Sequence, residues 1–426
     1  MTLRYRRLAC LVALFTISSL FPTTRADEVV LGPADFLATD QPRATIAMEY
    51  PVNSGVQVTD GIEFFLDTGT SGIMFAKGSY NEDPNAYHVE HRTDASVVQY
   101  LETGVAGNQL LDVFEPHDFY FAGEDGNPFE LPNVRPYGSI DVDLGDINGL
   151  AGMPTMVGRI VHMDLRTQLP APGDFFPGLI TTSFESTPTA PASNSQRYHV
   201  ALRMDPPSFP GVDPNHPSDP TPTFAHIPFV TGLGHTVVDH SGQTHTVYRD
   251  ALLDTGAQTS IISHKLALDL GINLNPNDPN TDIEDTDGDG VVTADDYFPI
   301  GGLGGEVSIP FVHLNKISIP TKEGRYISLT DLDVGVFVDS DGNSLDIPGL
   351  DSIFGMNILT SGYFNAIFGD GTGALFNEVS LDFRDLNNAE MLLDVNLDAP
   401  EPGGLVLLVA SFALLARPKR RLLAFA

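Results

Sequence analysis

The sequence predicts a mainly β protein built as two related halves. Three observations carry that expectation. The chain has 426 residues, more than a single core usually organises, which favours two domains or lobes. Glycine (40) and proline (32) are frequent, helix-period stretches are few, and the apolar runs are short and bounded by turn residues. The tripeptide Asp-Thr-Gly occurs twice, at Asp67-Thr68-Gly69 and Asp254-Thr255-Gly256, each copy set between short apolar runs.

Taken in order, the chain opens with Arg4, Arg6 and Arg7, then the apolar stretch Leu8 to Phe21, then Thr24-Arg25-Ala26. Residues 1–26 therefore read as a secretory signal cut after Ala26. The only cysteine, Cys10, lies inside it. Most of the apolar stretch follows Cys10, which argues against lipidation, and the mature chain is expected to hold no thiol, disulfide or thiolate metal site. Strand patterns follow at Ala44 to Tyr50, Gly55 to Thr59, Ile62 to Leu66 and Ile73 to Phe75. A comparable series starts at Tyr198-His199-Val200-Ala201-Leu202 and leads to Ala251-Leu252-Leu253-Asp254. The halves are placed at 27–190 and 191–390, joined through the Ser-, Thr- and Pro-rich stretch Ser183 to Gln196. Pro206 to Pro222 reads as a surface loop.

Each Asp-Thr-Gly predicts a buried strand, a tight turn and a return into the core. A carboxylate buried in that way is costly without a partner, and each copy can serve as the other's. Two such loops meeting face to face would form an aspartate dyad. One further pair of features and a single hairpin accompany the motifs. Leu150-Ala151-Gly152-Met153-Pro154 and Ile353-Phe354-Gly355-Met356 follow the first and second copies at comparable separations, and Gln99 to Gly107 reads as a hairpin.

This pattern resembles the pepsin-like aspartic proteases, over Arg43 to Phe383. The resemblance implies two related β-barrel-like lobes with a central cleft, and a catalytic pair formed by Asp67 and Asp254. It implies that Thr68 and Thr255 bond across to the opposite loop, that Gly69 and Gly256 allow the loops to approach, and that Gly152 and Gly355 pass close under them. Asn357 to Phe368 and Val379 to Phe383 resemble the closing strands. Gln99 to Gly107 resembles the substrate-covering flap, with Tyr100, Thr103 and Gly104 as its contacts; the plain alternative is an ordinary hairpin. Two buried carboxyls in contact share one proton, so the ionised one would activate water and the protonated one polarise the scissile carbonyl of an extended peptide. No cofactor is required for that reaction. In the family a hydroxyl after the glycine often stabilises the aspartate charge. Thr70 supplies it and Ala257 does not, which predicts an acid to near-neutral optimum. The stretch from Ala26 to Arg43 is short and acidic, unlike a basic inhibitory prosegment.

Asp285 to Asp296 fits a twelve-residue calcium loop with ligands Asp285, Asp287, Asp289, the Val291 carbonyl, Thr293 and Asp296, and Gly290 at the turn. Asp in the last position resembles dockerin-type loops. The expected role is structural Ca2+ in an insertion of the second half, against the alternative of a solvated acidic loop. At the far end, Pro400-Glu401-Pro402 precedes an apolar run to Ala416 and the basic group Arg417, Lys419, Arg420 and Arg421. Residues 400–426 resemble a PEP-CTERM sorting signal, which implies transient membrane anchoring and processing by an exosortase-type partner; a buried terminal helix is the alternative. The formal net charge is −34, and the two ends carry eight basic residues against one acid, so the chain between them is more acidic still. Nucleic acid is thereby disfavoured as a partner. The expectation is an exported monomeric endopeptidase at the cell envelope or outside it. The competing reading is a catalytically silent, calcium-stabilised surface protein of the same shape that binds peptide or matrix.

Overall fold

The computed structural model describes residues 28–49, 62–77, 99–104, 107–114, 116–122, 128–139, 141–142, 144, 147–166, 179–207, 221–302, 305–363 and 373–399. Over these residues the protein is mainly β. Short alternating segments account for the strands: in Ile62–Leu66 buried residues alternate with half-buried ones, the signature of a strand with one face on the core. Strands from residues 43 to 151 form one nine-stranded sheet. A twelve-stranded sheet gathers all the others except the hairpin Phe298–Gly302 and Gly305–Ile309, which pair with each other.

The larger sheet mixes both ends of the sequence. Glu28–Pro33 lies parallel to Tyr326–Phe337, with Glu28 opposite Tyr326. Ile160–Asp164 runs antiparallel to Phe376–Asp382, with Val161 opposite Leu381, and carries Thr181–Glu185 on its other side. The stretch expected to connect the halves thus begins inside a strand and ends in another, Ser195–Asp205. One apolar cluster spans the chain from Leu31 to Val395, with Phe64, Phe75, Leu253 and Phe354 fully buried in it.

Helix is sparse. His264–Asp269 starts at Ser263, whose hydroxyl accepts the Leu266 N–H as an N-cap. Met356–Leu359 is a single turn. No described helix is long and apolar enough to cross a membrane. The expected signal (1–26), the strand at Gly55 to Thr59, most of the Pro206 to Pro222 loop and the tail (400–426) lie outside the described residues.

Candidate active site

Both Asp-Thr-Gly copies sit in the same local frame. Ile62–Leu66 leads into Asp67, and Gly149–Ala151 runs parallel to it, with Ala151 opposite Leu66. That second strand is antiparallel to Ile73–Phe75 on its other side. Thr244–Asp254 leads into the second copy; Ser352–Gly355 is parallel to it, with Gly355 opposite Asp254, and antiparallel to Ile261–Ser263. The backbone continues the match: the Met153 N–H donates to Thr70 O and the Met356 N–H to Ala257 O, both at 2.9 Å.

Glycine is required where these strands pass the loops. A Cβ on Gly152 would lie 2.0 Å from Gly72 O and 2.3 Å from Thr70 O; one on Gly355 would lie 2.5 Å from Thr259 O. All three distances are impossible for carbon against a fixed carbonyl.

The two loops meet. The Thr68 hydroxyl donates to Leu253 O at 2.6 Å and accepts the Thr255 N–H at 3.1 Å. In return the Thr255 hydroxyl donates to Leu66 O at 2.6 Å and accepts the Thr68 N–H at 3.1 Å. Four reciprocal bonds between buried groups therefore fix one loop on the other. A Cβ on Gly69 would lie 2.7 Å from the Asp254 carboxyl carbon, and one on Gly256 would lie 2.6 Å from that of Asp67. Each aspartate thus rests on the other loop's glycine, and the two carboxyls face each other across this contact.

Their environments differ. Asp67 is 7% exposed and Asp254 only partly buried. Asp67 Oδ1 accepts the Gly69 and Thr70 N–H groups at 2.8 and 3.1 Å, and its Oδ2 accepts the Thr70 hydroxyl at 2.7 Å. Asp254 Oδ1 accepts the Gly256 and Ala257 N–H groups at 2.9 and 3.1 Å, and the methyl of Ala257 offers nothing further. Burial raises the proton affinity of both carboxyls. Asp254 is pushed furthest, by burial and then by the charge of Asp67, while the Thr70 hydroxyl restrains the rise at Asp67. The pair can hold one proton on Asp254 and a charge on Asp67.

The segment Gln99–Gly104 pairs antiparallel with Gly107–Val113, so the expected hairpin is a hairpin. Gly104, opposite Gly107, lies at its end with Thr103 one residue before. Tyr100 is only 1% exposed. Its ring packs on Tyr137 (5.5 Å) and Phe224 (5.1 Å) in a small cluster with Met74 and Leu111, rather than projecting from the tip.

In the acidic loop, ligand atoms of Asp285, Asp287 and Asp289 lie within 4.8 Å of one another. Gly288 and Gly290 supply the left-handed turns, at φ 73° and 87°. Asp296 is buried beside them and accepts the Thr286 N–H and hydroxyl and the Thr293 N–H. Thr293 caps the short 3-10 turn Ala294–Asp296. Val291 is exposed. The structure therefore brings together the carboxylates of Asp285, Asp287 and Asp289, and Thr293 and Asp296 also shape the loop. The three converging carboxylates form an all-oxygen donor set suited to a hard cation.

Two groups escaped sequence reasoning. Glu102, on the hairpin, is 4% exposed and near enough to Asp67 to feel its charge. Glu284, His313 and Asp333 also converge within 4.8 Å, His313 and Asp333 being direct cross-strand neighbours. Nothing in their spacing marks the second group; strand register alone unites it.

No protein-family model matches the chain, and no curated protein matches it by sequence. Among solved structures, basic 7S globulin from soybean aligns over 84% of this chain and 98% of its own, at 7% identity and a TM-score of 0.38. That likeness is too distant to argue from.

Proposed function

We propose that this chain is an aspartic-type endopeptidase of the bilobed, pepsin-like kind. One observation carries the reading: two carboxyls from loops 187 residues apart face each other, locked by reciprocal threonine bonds. Mutual repulsion of buried carboxylates is a cost that a purely structural contact has no reason to keep. With the proton on Asp254 and the charge on Asp67, Asp67 removes a proton from water as it attacks the scissile carbonyl. Asp254 donates a hydrogen bond to the developing oxyanion. Collapse of the tetrahedral species returns the proton taken by Asp67 to the leaving amine, and the pair is restored. Cleavage of a denatured protein at acid pH, blocked by pepstatin, is the expected result. Folded protein that cleaves nothing across the pH range would instead favour the silent peptide-binding surface protein, a reading to which the buried Tyr100 and the missing hydroxyl at Ala257 lend support.

Restoring that hydroxyl tests the electrostatics. In Ala257→Thr the new donor stabilises charge on Asp254 and lowers the proton affinity of the pair. The whole pH–rate profile should move about one unit towards acid, the size expected of one hydrogen bond to a charged group. An unmoved profile would sink this account of the asymmetry.

Calcium belongs to the proposal as a structural ion held by Asp285, Asp287 and Asp289. At a free concentration a hundredfold above its Kd, Ca2+ should stabilise the fold by about 2.7 kcal/mol. The Tm should rise on addition and fall with chelator, and Asp287→Asn should weaken the response. The remaining elements of the reading are export, a transient anchor at 400–426 processed by an exosortase-type enzyme, and action as a monomer on extended peptides.

A further inference from the structure

A histidine and two carboxylates beside the acidic loop take no part in the proposed chemistry. Glu284, His313 and Asp333 each place a ligand atom within 4.8 Å of the other two. All three residues are half-buried. They come from three backbone segments that the sheet holds in place. His313, in Phe311–Pro320, stands directly opposite Asp333, in Tyr326–Phe337. Glu284 is tied to the first of these strands: its N–H donates to Phe311 O at 2.9 Å, and Ile283 pairs with Val312. The residues that flank the three along the chain, Ile283, Val312, Leu332 and Val334, are buried, so the three polar side chains take the other face.

The imidazole sits among carboxylates. Its Nδ1 lies 2.9 Å from Asp333 Oδ1, and its Nε2 lies 3.8 Å from Asp331 Oδ1. A neutral imidazole has one N–H and can satisfy only one of these oxygens. The Glu284 carboxylate makes no hydrogen bond or ion pair among the described residues, and the charge of Asp333 acts on it. Of the described lysines and arginines, none pairs with Glu284, Asp331 or Asp333; His313 is the only basic group there.

We propose that Glu284, His313 and Asp333 bind a first-row divalent cation of the Zn2+ type, with water or Asp331 completing its shell. The donor set decides the class of ion. Ca2+ and Mg2+ take oxygen ligands, whereas Zn2+ accepts imidazole nitrogen and carboxylate oxygen together. Bonds of about 2.1 Å to one ion set ligand atoms roughly 3.4 Å apart, so the side chains close on it by rotation while the strands stay put. The ion supplies the missing counter-charge and fastens the segment that enters the acidic loop to the two strands. Glu284 and Asp285 are adjacent but belong to separate donor sets, the second of which is the one assigned to Ca2+. This site goes beyond the endopeptidase reading and does not depend on it.

Calorimetric titration of the metal-free, full-length protein with Zn2+ in excess Ca2+ is the test. Ca2+ fills the acidic loop and leaves the mixed donor set open. The wild type should take up a single Zn2+, and its Tm should rise. His313→Gln, Glu284→Gln and Asp333→Asn should each lower the affinity at least about tenfold. Asp287→Asn, in the acidic loop, should bind Zn2+ as the wild type does. Co2+ in place of Zn2+ reports the nitrogen ligand directly: its visible absorption should change in His313→Gln, with the metal-free Tm of that variant close to the wild-type value. No uptake of Zn2+ in excess Ca2+, or equal uptake by the wild type and the three ligand variants, overturns the site. Uptake lost in Asp287→Asn but kept in His313→Gln overturns it too, by placing the ion in the acidic loop.

Discussion

Asp67→Asn and Asp254→Asn should each lower peptide hydrolysis by about 10⁴-fold while leaving the protein folded, the loss expected when one member of a coupled acid–base pair is removed. The two variants should differ in stability. Asn in place of Asp67 keeps an acceptor for the Gly69 and Thr70 N–H groups but removes the charge that drives up the proton affinity of Asp254. It should therefore leave the fold as stable as the wild type or more so at neutral pH, because one buried charge is gone. Combining the two substitutions should cost no more activity than either alone, since the carboxyls act as a unit. A fluorogenic peptide assay with Tm measured in parallel checks all three statements. Full activity in either single variant would remove the dyad from the mechanism.

Gly152→Ala should be among the most damaging single methyl groups that can be added to this protein. The new Cβ would sit 2.0 Å from one carbonyl oxygen and 2.3 Å from another, both belonging to the turn that follows Asp67. No rotamer relieves a Cβ clash, so either the strand or the turn must move, and the Met153 to Thr70 hydrogen bond moves with it. A loss of about 3–5 kcal/mol is expected, or a Tm lower by roughly ten degrees. Gly301→Ala is the control: that glycine is exposed, and a Cβ there meets nothing within 4 Å. Thermal unfolding of the two variants side by side decides the matter. Equal Tm values would mean that the companion strand is not seated under the loop.

What could be read from the chain and what could not follows a physical division. The aspartates, the threonines and the companion glycines were legible because a strand entering a tight turn writes its requirements into adjacent residues. Thr68 and Asp67 are neighbours, and so is the glycine that lets another loop approach. The hairpin was legible for the same reason. Its inner face was within reach too: Tyr100 and Glu102 are two apart on one strand and so share a side, which pairs the buried ring with the buried acid. Tyr137 was not foreseeable, since its place beside Glu102 depends on a strand thirty-odd residues away pairing with Met74 and Val113. In the acidic loop spacing marks the carboxylates but not the bonds they make within the loop. The pattern assigns Asp296 to an ion by position; that Asp296 also accepts the Thr286 and Thr293 N–H groups depends on how the loop closes, which spacing does not give.

The pairing of Glu28 with Tyr326, and of Val161 with Leu381, bears on how the polypeptide reaches its native state. An emerging N-terminal portion lacks the neighbours that its outermost strands require until almost the whole chain has been synthesised. Contacts of such separation are slow to close, and they cannot begin to lock while the ribosome still holds the later segments. If the chain is exported as proposed, a translocation channel that passes only extended polypeptide would meet an unlocked chain, and assembly would finish on the far side of the membrane. Splitting the molecule near residue 190 should accordingly yield two insoluble pieces rather than two working halves.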